Sequence, residues 1–333
     1  MGAGCEQRAY IHHISWAAAF NNYQARLKAA SQFTGIFHKL RVKGEGNMSY
    51  PELNRGDRGE DVKNLQTFLN RVGAMLIADG DFGSGTERGV RYAQDIANLP
   101  STGTADNELW SWLESKPEPH PPLATNGVAF IALEETGGLA YYHAVTRWPH
   151  YPGYASGVTI GVGYDLRFNS ETNFRELWAG HLSKEFLDEL SKDIGKKGSK
   201  KRIKELKQLG LEIPFKSAWP VFVENTLPRF YSNTESIYPS LGKLPNLCQS
   251  VLVSIVFNRG HSLSGPGRKE MREIRDVLAK ADEPGLHKRK RKMILGDVED
   301  QIISMKRLWD LSSGLCKRRQ AEANLWRAGL EDW

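Results

Sequence analysis

The stretch that most limits how this chain can fold runs from Val128 to Phe168. It opens on an apolar run, Val128-Ala129-Phe130-Ile131-Ala132-Leu133, with the composition of a buried helix. Two adjacent carboxylates follow, Glu134 and Glu135, and then Gly137 and Gly138, which can end a helix. Beyond an aromatic loop lies the β-branched run Val158-Thr159-Ile160, punctuated by Gly157, Gly161 and Gly163. That pattern predicts a short strand or hairpin with tight backbone bends, closed by Asp165.

The arrangement predicts chemistry as well as shape. A carboxyl at the end of an apolar helix loses hydration, which disfavours its charged form and suits it to donate a proton. An aspartate on a facing hairpin is expected to stay wetter and ionised. Two acids in unlike surroundings are what glycoside hydrolysis requires, one protonating the leaving oxygen and the other assisting water or the sugar cation. The Thr159 hydroxyl is placed to orient that water. A Glu-Glu pair at a solvated helix end and a threonine in an ordinary strand have the same composition, so these residues alone leave both readings open.

Ser156 to Leu166, S-G-V-T-I-G-V-G-Y-D-L, resembles the T-I-G-x-G hairpin of the phage-type lysozyme superfamily, and its Y-D-L ending resembles the pesticin-like branch. The resemblance implies an N-acetylmuramidase that cuts the MurNAc–GlcNAc β-1,4 bond of peptidoglycan. It also implies a glutamate ending the first helix, with an aromatic residue seven positions later. Glu134 has Tyr141 at that spacing and Glu135 has Tyr142. Glu134 is preferred because the apolar Leu133 precedes it, with Glu135 as the alternate acid. The implied partners are Thr159 and Asp165, and no acid lies between Glu135 and Asp165 to compete. Tyr141, Gly161 and Tyr164 are expected to line the glycan site. An inverting reaction is implied, with carboxyls roughly 6.5–9.5 Å apart. The resemblance extends to Phe257-Asn258-Arg259-Gly260, which ends the most apolar run of the chain, and to Gly314-Leu315 with Arg318, Arg319 and Glu322.

The preceding residues read as a separate unit. Val62, Leu65, Phe68 and Leu69 give the stripe of a core-facing helix. Thr86, Val90, Ala93 and Ile96 give a second, and Leu109, Trp110 and Leu113 a third. Turn clusters separate them at Arg55 to Gly59, Asp79 to Gly83 and Leu99 to Gly103. The motifs R-G-D-R-G-E-D-V-x-x-L-Q-x-x-L-N, D-G-D-F-G-x-x-T and L-P-x-T-G-x-x-D-x-x-x-W resemble the three-helix peptidoglycan-binding domain of wall hydrolases. The resemblance implies glycan contacts in the second motif, at Asp79, Asp81 and Phe82, unless those residues simply set the turn. The expected fold is mainly α (α+β). Its organisation is a peptidoglycan-binding domain over 48–114, a Pro-rich linker over 115–125, and a lysozyme-like helical domain over 126–333 with a small hairpin lobe. The linker prolines predict an extended, semi-rigid spacer. Residues 1–47 match no domain, and Met48 is the expected start of translation.

Composition narrows the setting. No apolar run approaches the roughly 18 residues that cross a bilayer, and the N-terminus lacks the pattern of a signal peptide. Cys5, Cys248 and Cys316 are odd in number and far apart, which predicts synthesis in a reducing compartment. Net charge is near −1 before residue 126 and near +7 after it. A basic catalytic half suits a polyanionic wall or membrane. His287 to Lys292 is the densest cluster, expected to meet anionic outer-membrane or wall polymers unless it is simply a solvated helix face. Nucleic acid is not an expected partner, since no aromatic interleaving or nucleic-acid module accompanies the charge. Histidine and cysteine spacings fit no metal site, and no G-x-S-x-G elbow or P-loop is present. Neither a cofactor nor a metal is expected.

The expectation is a monomeric endolysin-type peptidoglycan hydrolase, held in the host cytoplasm until lysis. Two other readings remain. One is a lytic transglycosylase, and the other a wall-binding virion protein without activity.

Overall fold

The structure is a computed structural model that describes residues 50–153 and 155–333. The expectation about residues 1–47 and the Met48 start lies outside the described residues. Helix α1 (Glu60–Arg71) buries Val62, Leu65 and Leu69 on one face. Helix α2 (Ser84–Ala97) buries Val90 and Ala93. Helix α3 (Asn107–Glu114) is capped by Asp106, which accepts from the Leu109 N–H, and buries Leu109, Trp110 and Leu113. Tyr50 stacks on Trp110 at 4.3 Å, and the Trp110 indole donates to the Pro51 carbonyl at 3.1 Å.

Two glutamines brace the turns between these helices. Gln66 donates to Asp79 at 2.8 Å and to the Asp81 carbonyl at 3.1 Å, and accepts from the Gly80 N–H. Gln94 donates to the Thr104 carbonyl at 2.9 Å and accepts from the Gly103 N–H at 3.0 Å. A primary amide offers both donor and acceptor, so one buried side chain satisfies the backbone of a tight turn in both senses.

Residues 115–125 are folded down rather than strung out. His120 and Leu123 are buried. The Ala124 N–H donates to Ser250 Oγ at 3.1 Å, and Thr125 donates to Glu118 at 2.7 Å. A contact with a residue far along the chain sets where the segment lies.

Helix α4 (Thr125–Thr136) then packs directly on α1. Asn70, fully buried, donates to Asn126 at 2.9 Å, and Asn126 donates to Thr67 at 3.1 Å. Thr136 donates to the Met75 sulfur at 3.1 Å. Gly73 has φ +93°, and a Cβ there would lie 2.7 Å from Trp219 and 2.8 Å from Phe215. Gly73→Val is therefore expected to cost about 2–5 kcal/mol, from overpacking and from the left-handed backbone. Urea denaturation measures it, and a wild-type midpoint would mean the two units do not pack at this point.

After the short helix α5 (Gly138–Tyr141) and a π turn over Tyr142–Thr146 comes the hairpin of β1 (Thr159–Ile160) and β2 (Tyr164–Asp165). The strands are antiparallel, with Thr159 opposite Asp165 and Ile160 opposite Tyr164. Positive φ at Gly161 (+57°) and Gly163 (+70°) makes the bend. The rest is helical: α6 (Glu171–Trp178), α7 (Lys184–Ser191), α8 (Lys200–Gln208), α9 (Phe215–Val221), α10 (Leu227–Ile237), α11 (Asn246–Arg259), α12 (Lys269–Ala281), α13 (Lys288–Ser304) and α14 (Gly314–Glu331). Pro220 lies inside α9, which loosens into a π turn at Phe222–Thr226. Helix α11 is buried from Cys248 through Val256, as its continuous apolar run requires, and stops at Gly260. The fold is mainly α with one two-stranded sheet among the described residues.

Candidate active site

Glu134 sits in the last turn of α4, ahead of the left-handed Gly137 that ends the helix. The Tyr141 ring lies over Gly137, where a Cβ would come within 2.8 Å of it, so glycine alone fits. Tyr141 is 52% exposed. Glu134 is open to solvent on one side, but protein around its carboxyl strips part of its hydration. That desolvation raises its pKa above the ordinary carboxylate value. Arg318 opposes the shift, Glu322 and Glu135 add to it, and Arg319 opposes it.

The neighbouring Glu135 is differently placed. Arg318 holds it at 2.7 Å. Arg318 is only 4% exposed and also donates to the Ser254 carbonyl and hydroxyl at 3.1 and 3.0 Å. Glu322, fully buried, lies 3.3 Å from Arg318 and 2.8 Å from Arg319, and accepts from Ser254 at 2.6 Å. The two arginines and Glu322 are thus a buried network reaching from α14 to α11 and the end of α4. Sequence gives no sign of the Glu135 contact, whose partners lie 183 positions apart.

The hairpin departs from expectation in three places. Asp165 is not the wetter acid. Its carboxylate accepts the Gly157 N–H at 3.0 Å and the Arg167 N–H at 2.9 Å, capping a short 3₁₀ turn. Burial raises its pKa, against the lowering effect of those N–H groups and of the Arg167 and Arg229 charges. Tyr164, expected at the glycan site, is 1% exposed and packs edge-on against Trp178 at 5.6 Å. Gly161 is likewise interior, with Trp178 and Ala218 against it. Both belong to the core because so short a hairpin lays its turn and its aromatic against the helices beneath, with Trp178 touching each. Thr159 is 5% exposed, and its hydroxyl has no hydrogen-bond partner among the described residues. Arg229, which nothing in the sequence marks, lies near both Asp165 and Tyr164 and reaches Asn169 at 3.5 Å.

In the first unit, Phe82 is fully buried, so it packs the core instead of touching glycan. Asp79 braces the turn. Desolvation would raise its pKa, but the Asp81 N–H and the Gln66 amide outweigh it and hold the value low. Asp81 remains accessible, 3.2 Å from Arg58. His287 caps α13 by accepting from the Lys290 N–H, and Lys288 and Arg291 lie over the Trp333 ring at 5.4 and 5.1 Å. No helix among the described residues is long and apolar enough to cross a membrane, and no group of metal-ligating side chains gathers among them.

Comparison with known proteins divides along the same lines as the fold. Residues 58–113 match the family model described as a putative peptidoglycan binding domain. Residues 131–225 match that of a domain of unknown function, DUF8812, and this span holds Glu134, Thr159 and Asp165. No curated protein matches the chain. The crystal structure of the Burkholderia AP3 phage endolysin is similar at 16% identity, over 85% of this chain and 98% of that chain, with a TM-score of 0.20. That score is too low for the likeness to bear on the fold. The chain thus joins a segment similar to peptidoglycan-binding domains to a mainly helical region that carries the candidate acid.

Proposed function

We propose that the chain is a modular peptidoglycan hydrolase of the endolysin type, cleaving the MurNAc–GlcNAc β-1,4 bond with Glu134 as general acid. The observation that carries this reading is the contrast between the two adjacent glutamates. Glu135 is engaged by Arg318, while Glu134 stays accessible with a raised pKa. A proton donor must be reachable and biased toward its protonated form, and Glu134 is exposed with its pKa raised by desolvation. Asp165 and Thr159 are the proposed partners for water and for positive charge at the anomeric carbon. The Thr159 hydroxyl, without a hydrogen-bond partner among the described residues, supports its part. The match over 58–113 supports peptidoglycan as the partner, and the basic 287–292 cluster fits anionic outer-membrane or wall polymers.

A second reading has one specific observation in its favour. Asp165 spends its oxygens on backbone N–H groups. A site left with one working acid is the arrangement of a lytic transglycosylase. Mass spectrometry of products from purified sacculi decides between them. Reducing-end muramic acid is expected, and 1,6-anhydromuramic ends would sink the hydrolase.

A further inference from the structure

The hairpin has a third partner in His150, which lies outside both strands. The His150 N–H donates to the Thr159 carbonyl at 2.9 Å, and the Thr159 N–H donates to the His150 carbonyl at 2.8 Å. Thr159 is thereby flanked on both sides, by His150 on one edge and by Asp165 on the other. Residues directly opposite on antiparallel strands project to the same face, with Cβ atoms roughly 4.5–5.5 Å apart. His150, Thr159 and Asp165 therefore stand in a row on one face of the hairpin. Two atoms in that row, His150 Nδ1 and Thr159 Oγ1, are buried and have no hydrogen-bond partner among the described residues. Two such atoms on paired residues call for one explanation. Burial biases the imidazole toward its neutral form, against the opposing effect of the Trp148 backbone. A neutral imidazole carries one acceptor nitrogen, and a hydroxyl has one proton to give.

We propose that His150 is a positioning residue for Thr159, its Nδ1 accepting a hydrogen bond from the Thr159 hydroxyl. The Cβ spacing of a cross-strand pair lets the two atoms meet by side-chain rotation alone, with no shift of the backbone. With its proton held there, the hydroxyl turns its lone pairs to the water of the reaction. That water donates to Thr159 and keeps a lone pair of its own for the anomeric carbon. Asp165 already has its oxygens drawn to the Gly157 and Arg167 N–H groups, so the direction of the water falls chiefly to the hydroxyl. The assignment rests on the glycan-hydrolysing reading of Thr159 and adds the residue that fixes how its hydroxyl points.

The test uses the full chain and soluble glycan strands of alternating GlcNAc and MurNAc freed of peptide, with kcat and KM read from new reducing ends. His150→Leu and His150→Asn have nearly the same shape, but only asparagine keeps an acceptor near the Nδ1 position. His150→Leu is expected to lower kcat about tenfold at unchanged KM, while His150→Asn stays within about threefold of wild type. Thr159→Val is expected to lose about tenfold as well. The His150→Leu/Thr159→Val pair is expected to lose no more than Thr159→Val alone, since the histidine acts only through the hydroxyl. Losses that multiply in the pair, a wild-type kcat in His150→Leu, or an asparagine variant as slow as the leucine one each overturns the assignment. If the leucine variant does not fold, His150→Gln, whose amide reaches past the Nδ1 position, takes its place. A wild-type rate in Thr159→Val, or 1,6-anhydromuramic products, overturns the parent reading instead, so the two failures are separable.

Discussion

Glu134→Gln is expected to slow solubilisation of purified sacculi about 10²–10⁴-fold, the usual contribution of a positioned proton donor. Glutamine keeps the shape and removes only the proton. Desolvation raises the Glu134 pKa, so wild-type activity is expected to fall as pH rises through that raised value. The stability effect has a definite sign. A carboxyl whose folded pKa exceeds its unfolded one stabilises the fold below the unfolded value and loses that contribution as pH rises through the folded value. Wherever Glu134 is ionised, its charge is therefore a burden on the fold. The glutamine variant is expected to melt at the wild-type temperature or above it at pH 7, while being inactive. Wild-type lysis by this variant removes Glu134 from the chemistry. A dead Glu135→Gln beside an active Glu134→Gln moves the acid by one position.

Glu322→Gln is expected to be the most destabilising of the changes considered, by about 3–5 kcal/mol, because it removes one partner from a buried ion network. Glu322 is fully buried, within 3.3 Å of Arg318 and 2.8 Å of Arg319. Losing its charge leaves two buried guanidinium groups undercompensated. It also removes a negative charge that raises the Glu134 pKa. The alkaline limb of the activity profile is therefore expected to move to lower pH in whatever fraction stays folded. Urea denaturation reads the first effect and a pH–rate profile the second. An unchanged denaturation midpoint would contradict the burial of the network, and an unmoved alkaline limb its electrical link to Glu134.

Periodicity carried the helices well. The spacing of Val62, Leu65 and Leu69 marked a core-facing helix, and the glycines around Ile160 marked the hairpin. The site was less legible, for identifiable reasons. Hydration of Asp165 depends on where the Gly157 and Arg167 N–H groups point, which no local pattern encodes. Phe82 and Tyr164 belong to short motifs, and a motif aromatic looks alike in sequence whether it packs a core or meets a ligand. The prolines of 115–125 specify stiffness but not position, which Ser250 fixes from 126 residues away. Arg318 likewise meets Glu135 only because α14 and α4 converge on α11.

The seam between α1 and α4 has a consequence for how the molecule would cut. A module on a slack cord lets its blade roam; one seated on the blade's own helix sets a gauge. Asn70, Gly73 and Met75 belong to one unit and meet Asn126, Trp219 and Thr136 of the other. Scission would then fall at a constant offset from the anchored strand. Chimeras with a foreign wall module would need those seam residues transplanted along with it.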